Sequence, residues 1–248
     1  MGKTISYAIY NRPDYLEVAL EHLLQNDLQD WEILFSIDPS KETDNIVRVI
    51  EEKMGKFKNY LIHINEKRLG SQLNTYISLY YVFKCQSDIN IYLEDDIIIS
   101  PDVTRIADWY SKIEKQDIIC LNLLYGSCGG LNHKSGAKEH IFYKTNEFNS
   151  LGYILTSEQW NSYFKDYWFN HDHGVVDKFG NPVLGWDWAI LYHHIKNKGL
   201  YTLQPDFARS NHIGRDRGTF CSPEFHDRTF SDIKILSKRE TSDSYMIK

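Results

Sequence analysis

The chain has 248 residues, with 34 Asp and Glu against 28 Lys and Arg, for a formal net charge of −6. That balance leaves no basic footprint for nucleic acid, and 42% hydrophobic with 25% charged residues is an ordinary globular composition. No apolar run approaches the roughly 20 residues of a membrane span. Met1-Gly2-Lys3-Thr4 leads into a strand-like stretch without a signal-peptide core. The expectation is a soluble cytoplasmic protein whose membrane contact, if any, is peripheral. Cys85, Cys120, Cys128 and Cys221 form no CxxC pair, which fits reduced thiols. Aromatic residues reach 14%, a share that suits sugar-binding surfaces and AT-rich coding equally.

In chain order, Thr4 to Ile9 reads as a strand. Pro13 to Leu24 reads as a helix with Leu16, Ala19, Leu20 and Leu23 on one face; Pro13 suits a first helical turn, where its missing N–H is not needed. Trp31 to Ile37 is a second strand, Thr43 to Met54 a helix, Tyr60 to Ile64 a third strand and Gly70 to Phe83 a helix. Ile89 to Leu93 is a fourth strand, running into Glu94-Asp95-Asp96. Asp102 to Ile113 reads as a helix and Ile118 to Leu121 as a strand, followed by a Gly-, Ser- and Asn-rich loop from Leu124 to Lys138. Ser157 to Phe164 and Trp188 to Lys196 read as helices and Leu200 to Leu203 as a last strand, with a polar, irregular tail after Pro205.

Strands alternating with helices predict βαβ units and a mostly parallel sheet flanked by helices, an α/β nucleotide-binding fold. One domain is expected over 1–248, with a regular first half (1–102), a less regular second half (103–220) and a C-terminal tail (221–248). Ligands of such sheets sit outside the carboxyl ends of the strands. Asn11-Arg12, Asp38 and Glu94-Asp95-Asp96 all fall at such ends.

The triplet is the sharpest feature. Three carboxylates between Ile91-Tyr92-Leu93 and Ile97-Ile98-Ile99 repel one another and would hold raised pKa values unless a cation neutralises them. Carboxylate oxygens plus substrate phosphates are what Mn²⁺ or Mg²⁺ prefers. An acidic turn in water is the alternative, which the apolar flanks oppose.

Leu93-Glu94-Asp95-Asp96-Ile97-Ile98-Ile99-Ser100-Pro101-Asp102 resembles the metal-binding segment of N-acetylglucosaminyltransferase I and its relatives, glycosyltransferase family 13. Ile9-Tyr10-Asn11-Arg12-Pro13-Asp14 is similar to that family's first strand and nucleotide turn, and Phe35-Ser36-Ile37-Asp38 to its second strand end. Asn149 to Leu155 with Trp160 is similar to its acceptor-side segment, Gly185-Trp186-Asp187-Trp188 to its tryptophan–aspartate motif, and Gly214-Arg215 with Gly218 to its closing loop. The stretch from about 4 to 220 is covered. The chain departs from the family in lacking its anchor and stem, and in having one aspartate between Trp186 and Trp188.

The resemblance implies a GT-A fold, a metal-dependent inverting transfer and a UDP-sugar donor, UDP-N-acetylglucosamine in that family, with a glycan acceptor. It implies Asp96 as metal ligand, Glu94 and Asp95 as donor contacts, and Arg12 and Asp38 at the uridine beside Asn11. Asp38 is equally a turn former next to Pro39. Arg68, ahead of a helix N-terminus, is a candidate for phosphate or uridine, and Arg215 and Arg217 for a phosphate clamp. His212 is a candidate second metal ligand. Asp187 is the candidate general base, its tryptophans raising its basicity; the alternative is a helix N-cap. His171-Asp172-His173 reads as a solvated turn. Two rivals remain. A sugar-1-phosphate nucleotidyltransferase would need an early Gly-rich loop that Tyr10-Asn11-Arg12-Pro13 does not provide, and a carbohydrate-binding module would not need the triplet.

Overall fold

The computed structural model describes residues 2–126, 137–176, 179–218, 221–237 and 245–248. Most of the loop from Leu124 to Lys138, including Cys128, lies outside them, as does Phe220. The first half follows the alternation read from the sequence: β1 (Lys3–Ile9), α1 (Pro13–Leu23), β2 (Glu32–Ile37), α2 (Thr43–Met54), β3 (Tyr60–Ile64), α3 (Ser71–Lys84) and β4 (Ile89–Glu94). Pro13 opens α1, and Leu16, Ala19, Leu20 and Leu23 are its buried stripe. Each such fully buried leucine contributes about 1.5–3 kcal/mol relative to an exposed one.

The second half carries more structure than its sequence suggests. It comprises β5 (Ile97–Ile99), α4 (Val103–Lys112), β6 (Ile118–Asn122), β7 (Ile141–Thr145), β8 (Tyr153–Thr156), α5 (Ser157–Gln159), α6 (Trp186–Ile190), β9 (Tyr201–Pro205), β10 (Ser210–His212), α7 (Pro223–Thr229) and β11 (Met246–Ile247). The tail after Pro205 is therefore not irregular. β10 pairs with β5, and α7 starts with the Ser222 hydroxyl accepting from Phe225 N–H and with Pro223 in its first turn. A reciprocal capping box between Thr156 and Gln159 starts α5. Helices α5 and α6 continue as wider π-type turns, Trp160–Phe164 and Leu191–Lys196, in which Trp160, Phe164, Leu191 and Ile195 are buried.

Nine strands form one sheet in the order β11-β7-β9-β6-β8-β4-β1-β2-β3. β4-β1-β2-β3 is parallel throughout, whereas β8 runs antiparallel to both β4 and β6, and β7 antiparallel to β9. Alternation along the strands divides the core. Ile91 and Leu93 pack with Leu16, Leu20, Ile50 and Ile106 on one face. Tyr92 packs with Leu79, Trp160, Phe164 and Trp186 on the other. The carboxyl ends of β1, β2 and β4 thus open on one edge, and the two-stranded β10–β5 ladder lies beside it.

Candidate functional site

Strand β4 delivers the acidic triplet into a buried position. Asp95 and Asp96 are each 1% exposed. Their first partner comes from the next strand end. Arg12, just past β1, donates through one guanidinium nitrogen to Asp95 Oδ1 and through the other to Asp96 Oδ2, while Tyr10 N–H donates to Asp95 Oδ2 at 3.2 Å. The cation that the triplet demands is thus supplied, in this structure, by the chain itself. Arg12, expected at the uridine, turns its fork to these carboxylates.

The second partner arrives through β10. Antiparallel pairing sets His212 opposite Ile97, which brings His212 Nε2 to 3.0 Å from Asp96 Oδ2. The ladder is extended by Ile213 N–H donating to the Asp96 carbonyl at 2.9 Å. The next residue must be glycine, because a Cβ on Gly214 would overlap Asp96 Oδ2 and lie 3.0 Å from Arg12 Nη1.

The electrostatics separate the three carboxylates. Burial pushes Glu94 up to about 8, reinforced by Asp96. Burial also lifts Asp95, to about 6, with Arg12 as the main opposing charge. Asp96 is equally buried, but His212 and then Arg12 outweigh the desolvation and hold it below the usual range. Asp96 is the most readily ionised of the three, and its Oδ1 is buried without a hydrogen-bond partner among the described residues, as is His212 Nδ1.

The unpartnered Asp96 Oδ1, beside the Nε2 of His212, suits a metal ion. No group of three or more His, Cys, Asp or Glu among the described residues is arranged to hold a metal. Mn²⁺ and Mg²⁺ at phosphate sites nevertheless take only one or two protein ligands, the rest of the shell being substrate oxygens and water. Asp96 and His212 fit that minority share.

Asp187 stands on the far side of an aromatic bridge. Tyr92, whose hydroxyl donates to Glu94 Oε1 at 3.1 Å, stacks on Tyr153 at 4.9 Å. Tyr153 in turn contacts the Trp186 ring at 5.8 Å. Trp186 is clamped against Trp168 at 4.1 Å and 9°, which fixes the start of α6 and hence Asp187. The helix begins at Trp186 with Gly185 as N-cap, so Asp187 does not cap it; its Oδ1 accepts the N–H of Trp188 at 3.0 Å. Burial raises the Asp187 carboxyl above its ordinary range, opposed by that hydrogen bond. Of the two flanking tryptophans, Trp186 is core and Trp188 is half-buried, stacked with Tyr192 at 6.0 Å.

Other expected residues take different places. Asp38 is 2% exposed, and its oxygens accept from Asn65 Nδ2, Leu69 N–H and Gly70 N–H at 2.7–3.1 Å. It organises the loop ahead of α3, and its lone pairs are spent on the protein. Arg68 is exposed and lies over the Tyr10 ring at 4.3 Å. Asn11 is half-buried at the end of β1. Arg215 is exposed and grips Asp227 with two bonds of 2.8 and 2.9 Å. Arg217 pairs with Asp14 of α1, at φ +63°. Both guanidinium forks of the expected clamp are therefore held by surface carboxylates. In the His171-Asp172-His173 turn Asp172 is exposed, while the half-buried His171 meets Gln72 at 3.1 Å and His173 stacks on Tyr192.

Residues that the sequence left unmarked complete the floor. Asn74 Oδ1 accepts from Ser36 and Asn65, while its amide donates to the carbonyls of Ile9 and Ser36. This buried network locks the ends of β1 and β2 to α3. Asn65 follows the last residue of β3, so the strand-end rule that marks Arg12, Asp38 and the triplet also points to it. Tyr10, beneath Arg68, belongs to the Ile9-to-Asp14 segment, whose resemblance gave it no role of its own.

Residues 5–180 match the family model of glycosyl transferase family 2. The chain belongs to glycosyl transferase family 2. That family replaces the family 13 suggested by the motif resemblance; the GT-A fold stands. Among solved structures, TarS 1–349 of S. aureus superposes with a TM-score of 0.56 at 13% identity, over 85% of this chain and 60% of that one. The mannosyltransferase PcManGT of Pyrobaculum calidifontis, in complex with GDP-Man and Mn²⁺, gives 0.58 at 12% identity, over 87% and 58%. Protein CgeD of Bacillus subtilis (strain 168) is 27% identical over 116 residues, 45% of this chain and 27% of CgeD. The chain thus spans about a quarter of that curated relative and about 60% of these structures. No helix among the described residues is long and apolar enough to cross a membrane.

Proposed function

We propose that this family 2 domain transfers a sugar from a UDP-sugar to a hydroxyl of a glycan acceptor, with inversion, and that it uses a divalent cation, Mn²⁺ or Mg²⁺. The observation that carries the reading is Asp96: ionised, buried, at the carboxyl end of a parallel strand, with Oδ1 unpartnered beside His212. Asp96 and His212 would hold the cation. Bound there, it would supply positive charge to the departing diphosphate.

The rest of the chemistry belongs to the chain. Asp187 accepts the proton of the acceptor hydroxyl as that oxygen bonds to the anomeric carbon and the bond from that carbon to the UDP oxygen breaks. A raised pKa makes the carboxylate a stronger base. Trp188 and Tyr192 offer a stacked aromatic face for acceptor sugar rings. Tyr10 and Arg68 form a stacked pair suited to a nucleobase, with Asn11 alongside. Glu94 and Asp95 face the donor, and Arg215 and Arg217 would join it only on leaving Asp227 and Asp14. A TarS structure with UDP-GlcNAc supports a UDP-sugar, and PcManGT with GDP-Man and Mn²⁺ supports the metal.

The test is UDP release from a panel of UDP-sugars, with and without Mn²⁺, alongside Asp187→Asn. Metal-dependent release with one sugar, and its loss in a variant that still binds UDP, is the expected result. Full transfer by Asp187→Asn rejects Asp187 as the base.

A further inference from the structure

Arg12 neutralises two carboxylates, and one of them, Asp96, is the one the proposed cation would also need. Its side chain is 13% exposed and those of Asp95 and Asp96 are each 2% exposed, so the three charges sit together where water screens them poorly. Both nitrogens of the fork are engaged, one per aspartate. The nitrogen on Asp96 shares Oδ2 with His212, leaving Oδ1 bare. Gly214 seals the contact from the other side.

A guanidinium and a divalent cation cannot both sit undisturbed against these carboxylates, because two cations in poorly screened space repel strongly. We propose that Arg12 is a placeholder cation: in the donor-free protein it gives Asp95 and Asp96 the positive charge that the divalent ion would bring to Asp96, and it withdraws when ion and diphosphate arrive together. The placeholder rests on the metal-dependent reading above. It answers a problem that reading creates, which is how a buried acidic triplet stays folded before the metal binds. It also makes loading ordered. The ion alone must displace a buried ion pair. With the diphosphate present the guanidinium gains an anionic partner to move to, and its planar fork matches phosphate oxygens.

Mn²⁺ binding to the nucleotide-free protein, followed by the loss of the free-ion electron paramagnetic resonance signal, tests this without turnover. Wild type should bind Mn²⁺ weakly until UDP is added. Arg12→Gln should bind Mn²⁺ without UDP about ten-fold or more tightly than wild type, and adding Asp96→Asn should abolish the gain. Thermal unfolding is the second readout. Arg12→Gln should melt below wild type in EDTA, since its aspartates lose their counter-ion, and Mn²⁺ should restore more of its Tm than it adds to wild type. If Arg12→Gln does not fold, Arg12→Lys, which places one point charge where the fork spans two carboxylates, should show the same trend in smaller measure. Equal or weaker Mn²⁺ affinity in the Arg12 variants overturns the placeholder. Tighter Mn²⁺ binding combined with no UDP release from any sugar keeps the placeholder and rejects the transferase reading instead.

Discussion

His212 Nε2 lies 3.0 Å from Asp96 Oδ2 because β10 pairs with β5 in a register that sets His212 opposite Ile97. The contact draws the ionisation of Asp96 below that of its two neighbours. Replacing His212 with Ala should raise the Mn²⁺ concentration needed for half-maximal UDP release on the order of 10–100-fold, the usual cost of losing a metal-site partner. An unchanged Mn²⁺ requirement would show that the histidine only props the loop.

Asp187 carries a stability cost along with its proposed role. Its folded carboxyl is protonated more readily than an ordinary aspartate. Between the unfolded and the folded pKa the native state therefore binds more protons, and stability falls as pH rises through that window. Asp187→Asn should accordingly melt higher than wild type at pH 7, with the gap closing at pH values below an ordinary aspartate pKa. The rate of the wild-type protein should rise with pH along an acid limb displaced upward from the ordinary aspartate value. A variant that melts no higher at neutral pH would contradict the burial cost.

Gly214 is held by contact. Gly214→Ala places a methyl group against Asp96 Oδ2 and 3.0 Å from Arg12 Nη1. Relief requires moving either the ion pair or the backbone that donates from Ile213 to Asp96. The expected loss is about 1–3 kcal/mol of stability, typical of overpacking, with UDP affinity weakened about ten-fold in titration calorimetry. Wild-type affinity in the variant would mean that the loop yields freely.

His194 predicts acid sensitivity away from the site. It is 0% exposed, and Tyr167 meets its ring edge-on at 4.3 Å. Burial, followed by Lys198, lowers it from 6.5 to about 4. The unfolded chain takes up a proton between these values that the fold refuses, so stability falls as pH drops from about 6.5 toward 4. The full effect is up to about 3 kcal/mol. His194→Phe should flatten this part of the Tm–pH curve; an unchanged slope assigns the acid sensitivity to other groups.

The elements that were legible in the sequence are those whose pattern is local. Pro13, the stripe of α1 and the apolar runs of β1, β2 and β4 need no partner to be recognised, and their ends fall within a residue or two of expectation. β7, β10 and β11 are short or partly polar and exist only through strands far away in sequence, which propensity does not register. The same division runs through the site. Three adjacent carboxylates announce their charge problem, but nothing in the sequence says that Arg12 answers it. Tyr92 reads as part of an apolar strand, and Tyr153 and Trp186 as members of separate motifs; only packing shows the three bridging Glu94 to Asp187. Asp38 lies at the predicted strand end, yet its oxygens are consumed by Leu69 and Gly70, a competition between backbone and ligand that residue type does not reveal.

The ladder between β5 and β10 has a consequence for how the protein is made. Everything up to Asp96 leaves the ribosome well before Ser210, Asn211 and His212, and β5 pairs with no other strand among the described residues. The first half can lay down its parallel strands during synthesis, but the pocket around Asp96 then lacks its imidazole and its Gly214 cover. A nascent or truncated chain ending short of residue 210 would carry the acidic triplet and Arg12 without His212, an unfinished seat for the ion.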